Sequence, residues 1–209
     1  YPLRRQRQMC IRDSGGTGDD NYVIDLGDVI TEIANQGIDT VRVSLTYTLT
    51  NPNLENITLL GDTTTNATGN GASNLLVGNS SNNTLSGDLG NDTLIGNAGN
   101  DTLVGGGGQD FFVFNGANEG NDNINDFSPT DDKISVSASG FGSGLVPGVL
   151  NANRFILGTA ATTPEQRFIY NATTGAFSFD ANGNVAGSIT QIATLSTGLA
   201  LTSSNILVI

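Results

Sequence analysis

The sequence has no histidine, no tryptophan and a single cysteine, Cys10. Without histidine, Ser-His-Asp and Cys-His catalysis, histidine zinc sites and histidine proton shuttles are all excluded. Basic side chains are scarce too: 8 Lys and Arg face 20 Asp and Glu, a formal net charge of −12. That balance argues against nucleic acid or anionic lipid as a partner, since both need a Lys/Arg surface. No apolar run approaches the roughly 18 residues that read as a membrane-spanning helix. What the chain has in excess is Gly, 28 of 209 residues, and Asn, 25.

The few bases are unevenly placed. Arg4, Arg5, Arg7 and Arg12, together with Cys10, fall in the opening stretch YPLRRQRQMCIRDS. From Asp13 onward four bases face all 20 acids, a net −16 with no cysteine. The opening stretch shares nothing with the Gly/Asn/Thr-rich chain that follows, and it lacks the apolar core of a secretory signal. Residues 1–14 therefore read as a foreign leader outside the fold, with a basic linker as the plainer alternative. A chain without paired cysteines has no disulfide staple, so its stability must come from elsewhere.

From Gly69 the chain advances in nines: GNGASNLLV, GNSSNNTLS, GDLGNDTLI, GNAGNDTLV, GGGGQDFFV. Position 1 is always Gly (Gly69, Gly78, Gly87, Gly96, Gly105). Position 6 is Asn74, Asn83, Asp92, Asp101 and Asp110, and position 8 is Leu76, Leu85, Leu94, Leu103 and Phe112. Position 4 changes from Ala72 and Ser81 to Gly90, Gly99 and Gly108. Another copy, GGTGDDNYV, occupies residues 15–23, with Asp20 at position 6. Fragments recur at Gly37–Val41 and, after a three-residue slip, at Gly120–Ile124.

This pattern, G-G-x-G-x-D-x-U-x, resembles the nonapeptide of RTX (hemolysin-type) calcium-binding proteins. The resemblance implies an all-β fold: a right-handed parallel β-roll over residues 15–128, with irregular coils at 24–68 and regular nonapeptides at 69–113. A small antiparallel β cap would follow over 129–209. It also implies several bound Ca²⁺ ions. Backbone carbonyls at position 2 (Asp88, Asn97, Gly106) and position 4 (Gly90, Gly99, Gly108) are implied to complete their coordination.

The physics of the repeat supports that reading. Positions 7–9 make a three-residue strand with the position-8 side chain pointing inward, and positions 1–6 make a turn that glycine can enter. Two strand–turn units form one 18-residue coil, and coils stack by parallel pairing. One Leu per nine residues is little to bury. At about 25 cal/mol per Å² it cannot alone offset backbone ordering of about 1–2 kcal/mol per residue.

Turns 18 residues apart stack, pairing Asn74 with Asp92, Asp92 with Asp110, Asn83 with Asp101, and Asp101 with the slipped Asp122. Two carboxylates about 4 Å apart repel by about 4 kcal/mol at an effective dielectric of 20. Ca²⁺, which takes oxygen ligands, turns that repulsion into attraction. The expected ligands are Asp92, Asp101, Asp110, Asp122 and Asp20, with contributions from Asp126 and, through its amide oxygen, Asn83. As Asp replaces Asn, the sites should strengthen from residue 74 towards residue 126.

Three further motifs read as ordinary structure. Asp180-Ala-Asn182-Gly-Asn184 imitates an EF-hand loop, yet Val185 and Gln191 stand where that loop wants Gly and Glu, so it reads as a hairpin turn. Thr84, Thr93 and Thr102 at position 7 are β-branched residues on exposed strands, since only Thr84 and Thr102 share a face. The N-x-[ST] sequons at Asn56, Asn66, Asn91 and Asn171 follow from a chain rich in both residue types.

After Asp180 no side chain is charged. In RTX proteins this region carries the signal for the one-step type I export machinery, and the tail resembles such a region. The resemblance implies a secreted, extracellular, non-enzymatic bacterial module with an upstream passenger domain. The alternatives are an adhesin or matrix repeat with structural calcium, or the severed tail of a secreted protease or lipase.

Overall fold

The computed structural model describes residues 17–34 and 37–209. Residues 1–14, expected to be a foreign leader, and the first two glycines of the copy at 15–23 lie outside the described residues. The chain shuttles between two sheets. β1 (Asn21–Ile24) and β2 (Thr40–Val43) lie in the first, β3 (Tyr47–Thr48) in the second, β4 (Asn56–Leu59) in the first and β5 (Ala67–Thr68) in the second. The regular nonapeptides continue the alternation with β6 (Leu75–Val77), β7 (Thr84–Ser86), β8 (Thr93–Ile95), β9 (Thr102–Val104) and β10 (Phe111–Phe114). β11 (Asp122–Ile124) then joins the second sheet and β12 (Lys133–Val136) the first.

Every pairing among these twelve strands is parallel, and it holds the repeat in register: Leu76 lies beside Leu94, Leu94 beside Phe112, and Leu85 beside Leu103. The three-residue strands β6, β7, β8 and β9 bury only their middle side chain. Leu76, Leu85, Leu94, Leu103 and Phe112 form a fully buried interior column, which Ile57, Ile124 and Ile134 extend. The irregular coils at 24–68 follow the same path, so the parallel roll expected from the repeat is the observed fold.

The tail brings the expected antiparallel strands, and these join the sheets of the roll. After a short helix α1 (Ala138–Phe141) come β13 (Gly148–Val149), β14 (Phe155–Leu157), β15 (Phe168–Tyr170), β16 (Ala176–Asp180), β17 (Ile189–Thr194) and β18 (Ile206–Val208). β15, β16 and β17 are antiparallel, and β13 is antiparallel to β18. However, β14 runs parallel to β15, β17 pairs in parallel with β11, and β18 pairs in parallel with β12. Parallel stacking thus runs past residue 128, because the open edges of β11 and β12 carry backbone groups that need partners. Phe141, Phe168, Phe177 and Phe179 fill the space between the two sheet ends, with ring centroids 4.9–5.8 Å apart. Asp180 closes the β16–β17 hairpin, its Oδ1 accepting the Asn182 N–H and the Ser188 hydroxyl, which is the turn expected there.

Candidate metal centre

The turns are built to bring position 6 inward. In the last three regular nonapeptides positions 2 and 4 both take positive φ: Asp88 (81°), Asn97 (64°) and Gly106 (97°), then Gly90 (117°), Gly99 (130°) and Gly108 (145°). Asp and Asn tolerate this region better than other side chains, whereas position 4 of these three repeats has no room for one. A Cβ on Gly108 would lie 1.8 Å from the Gly90 carbonyl oxygen of the coil before. This close stacking delivers each position-6 side chain onto its neighbouring coil.

Two rows of side chains result. In the first row, the backbone N–H of Asn74 donates to Asp92 Oδ1 (2.7 Å), that of Asp92 to Asp110 Oδ1 (2.9 Å), and that of Asp110 to Asp132 Oδ1 (3.0 Å). In the second, Asn83 donates to Asp101 Oδ1 (2.7 Å) and Asp101 to Asp122 Oδ1 (2.9 Å). The four expected pairs are therefore brought together. Asp20 begins the first row, its N–H donating to Asp39 Oδ1 (2.8 Å), and Asp39 N–H donates in turn to Glu55 Oε2 (2.8 Å).

Glu55 and Asp132 were not singled out from the sequence, and Asp39 only as part of the fragment Gly37–Val41. Each precedes a buried apolar side chain by two residues (Val41, Ile57, Ile134), as position 6 precedes position 8. That spacing is the signal that finds them. Around Glu55 and Asp132 it stands without glycine at the usual places.

The second oxygen of each carboxylate distinguishes the turns. Oδ2 of Asp92, Asp101 and Asp110 is buried with no hydrogen-bond partner. Each lies against the position-1 glycine of its own repeat. A Cβ on Gly87 would lie 2.1 Å from Asp92 Oδ2 and 2.5 Å from the Gly105 carbonyl oxygen, and one on Gly105 would lie 2.3 Å from Asp110 Oδ2. Side chain and backbone thus converge as oxygen atoms in a cradle that any residue but glycine would fill.

Burial pushes the Asp92 and Asp101 carboxyls up to about 6 and that of Asp122 up to about 7. Neighbouring acids (Asp110 and Asp88 for Asp92; Asp101 and Glu119 for Asp122) add to the rise, and the backbone N–H bonds oppose it. The Asp110 carboxyl is raised for the same first reason, with Asp132 and Asp126 adding to it. Orphaned, buried carboxylate oxygens beside backbone carbonyls fit a hard divalent cation with oxygen ligands.

The Asn turns are already satisfied. Asn83 Oδ1 accepts the Asn79 N–H (2.8 Å), and its Nδ2 donates to the Thr65 carbonyl (2.6 Å) and to Asn79 Oδ1 (3.1 Å). Asn74 repeats the arrangement with Asn70, whose own amide donates to the Asn51 and Leu54 carbonyls (3.0 and 2.9 Å). The amide oxygen expected as a ligand at Asn83 therefore already has a protein partner. Asp126 is exposed and accepts the Gly105 and Gly106 N–H groups with its two oxygens (3.0 and 2.8 Å), and both oxygens of Asp132 likewise hold N–H groups. Among the position-2 residues, the Asp88 carbonyl accepts the Gly107 N–H (2.9 Å), and the Asn97 amide donates to the Gly78 carbonyl (2.7 Å).

No helix among the described residues is long and apolar enough to cross a membrane. Residues 68–103 and 77–112 match the family model of the RTX calcium-binding nonapeptide repeat, in its four-copy form. No curated protein matches the chain. Together with the parallel roll and the stacked carboxylate rows, this match identifies residues 68–112 as RTX-type calcium-binding nonapeptide repeats.

Proposed function

We propose that this chain is the calcium-responsive C-terminal module of a secreted bacterial protein, folding on extracellular Ca²⁺ and serving the export and stabilisation of a passenger attached upstream. The β-roll is a non-catalytic calcium-binding module. The observation that carries the reading is the orphaned Oδ2 at Asp92, Asp101 and Asp110.

In this reading Asp92, Asp101, Asp110 and Asp122 hold the ions, with the backbone carbonyls at positions 2 and 4 alongside and the position-1 glycines keeping the cradle open. Bound Ca²⁺ supplies positive charge between stacked carboxylates that otherwise repel. In calcium-poor cytosol the net −16 beyond the leader favours an extended chain that an exporter can thread. Outside, sites of the 10⁻⁴–10⁻³ M class of extracellular modules fill, and an ion at about 100 times its dissociation constant adds about 2.7 kcal/mol per site. The uncharged stretch after Asp180 supports a role for the tail in export.

Limited proteolysis tests the folding step. With millimolar Ca²⁺ the region 69–136 should resist cleavage, and with EGTA it should be cut within minutes. Equal resistance in both conditions would rule the reading out.

A further inference from the structure

At the first coil, outside the nonapeptide block, a third carboxylate joins the row. Glu32 comes from the connection between β1 and β2, not from a repeat, and its carbonyl is held by the Asn53 side-chain amide (3.1 Å). Oxygen atoms of Asp20, Glu32 and Asp39 all lie within 4.8 Å of one another. Asp39 is 1% exposed and Glu32 6%. The Tyr22 hydroxyl donates to Glu32 Oε2, while Oε1 of the same carboxylate is buried with no hydrogen-bond partner. Tyr22 so fixes the carboxylate by one oxygen and leaves the other to the cluster.

A buried carboxylate oxygen without a partner is costly unless a cation completes it. The cluster offers oxygen donors alone, with neither the imidazole nor the thiolate that zinc and copper favour, so its chemistry suits a hard cation. We propose that Asp20, Glu32 and Asp39 form a separate Ca²⁺ site, in which Glu32, supplied by the loop, closes a repeat turn that has lost its regular neighbours. The site ties the β1–β2 connection to the first coil, and it does not depend on occupancy of the nonapeptide turns.

Tyr22 provides a local readout, because the chain has four tyrosines and no tryptophan. Tb³⁺ replaces Ca²⁺ at oxygen sites and emits when a neighbouring tyrosine is excited. In the full-length chain, Tb³⁺ should give tyrosine-sensitised emission that excess Ca²⁺ displaces. Tyr22→Phe should reduce that emission to the level the other tyrosines leave. Glu32→Gln, which keeps the shape, should remove the same part of the emission and one Ca²⁺ from the stoichiometry. The proposal is overturned if Tyr22→Phe leaves the emission intact, or if Glu32→Gln keeps both signals. Should Glu32→Gln fail to fold by circular dichroism, the Tyr22→Phe result decides alone.

Discussion

An aspartate and an asparagine differ at one side-chain atom, yet at position 6 they leave the turn in opposite states. Asn83 spends its amide nitrogen on the Thr65 carbonyl and closes its turn with protein atoms alone. Asp101, one coil later, has no proton to give, and its Oδ2 stays buried without a partner. The consequence appears in the pH dependence. In the calcium-free fold the Asp92, Asp101 and Asp122 carboxyls take up protons near 6, 6 and 7, against about 3.9 in an unfolded chain. Between those values the folded state binds more protons, so its stability rises as pH falls and is lost as pH rises through 6 to 7. Ca²⁺ needs the deprotonated carboxylates, so its apparent affinity must change the other way. Far-ultraviolet circular dichroism in EGTA should therefore show more residual β-structure at about pH 5 than at about pH 7.5, while Ca²⁺ titrations should give weaker binding at the lower pH. A parallel response of the two would show that these carboxylates are not the ligands.

A strand of three residues with one buried side chain, such as β8, has little to hold it except its neighbours and its turn. The turn depends on position 1. At Gly87 a Cβ would meet the Asp92 carboxylate and the Gly105 backbone carbonyl together, and the carbonyl cannot swing away. Gly87→Ala should destabilise the calcium-bound form by about 1–3 kcal/mol, as overpacking does. It should also weaken calcium binding, which denaturant unfolding at fixed Ca²⁺ and a matched titration would measure together.

The period of nine made this much legible in advance: the Leu column, the two rows and the pair Asp92–Asp110 follow from counting, and the fragment at Gly120–Ile124 showed the three-residue slip that pairs Asp101 with Asp122. Asp132 escaped because 22 residues, not 18, separate it from Asp110, and the connection before it lacks the glycines that mark a turn. Glu32 escaped because a loop supplies it and no period reaches a loop. The tail strands were legible as strands but not in their partners. Short apolar segments such as NILVI carry the same alternation in either direction, and an open sheet edge decides which one they take.

Across the whole molecule, the tail and the roll share one pair of sheets. β17 continues the second sheet and β18 the first, and the N–H of Ile209 donates to the Val136 carbonyl while its own carbonyl accepts the Ala138 N–H, at the C-terminal end of β12. A chain ending at residue 198 would lose β18 and uncover Ile134, which is fully buried. Such a truncation should unfold less cooperatively in saturating Ca²⁺ and elute as aggregates in size-exclusion chromatography, since an exposed parallel edge invites pairing with other chains. The roll's dependence on calcium is the larger claim, and a Ca²⁺ titration followed by far-ultraviolet circular dichroism tests it most directly. The wild-type chain should gain β-structure cooperatively and lose it to EGTA. Asp110→Ala should shift the midpoint to higher Ca²⁺ by about tenfold or more, equivalent to about 1.4 kcal/mol, and Asn83→Ala, which removes no carboxylate, should shift it by less. A chain equally folded in EGTA, or an Asn83→Ala shift as large as that of Asp110→Ala, would contradict the account.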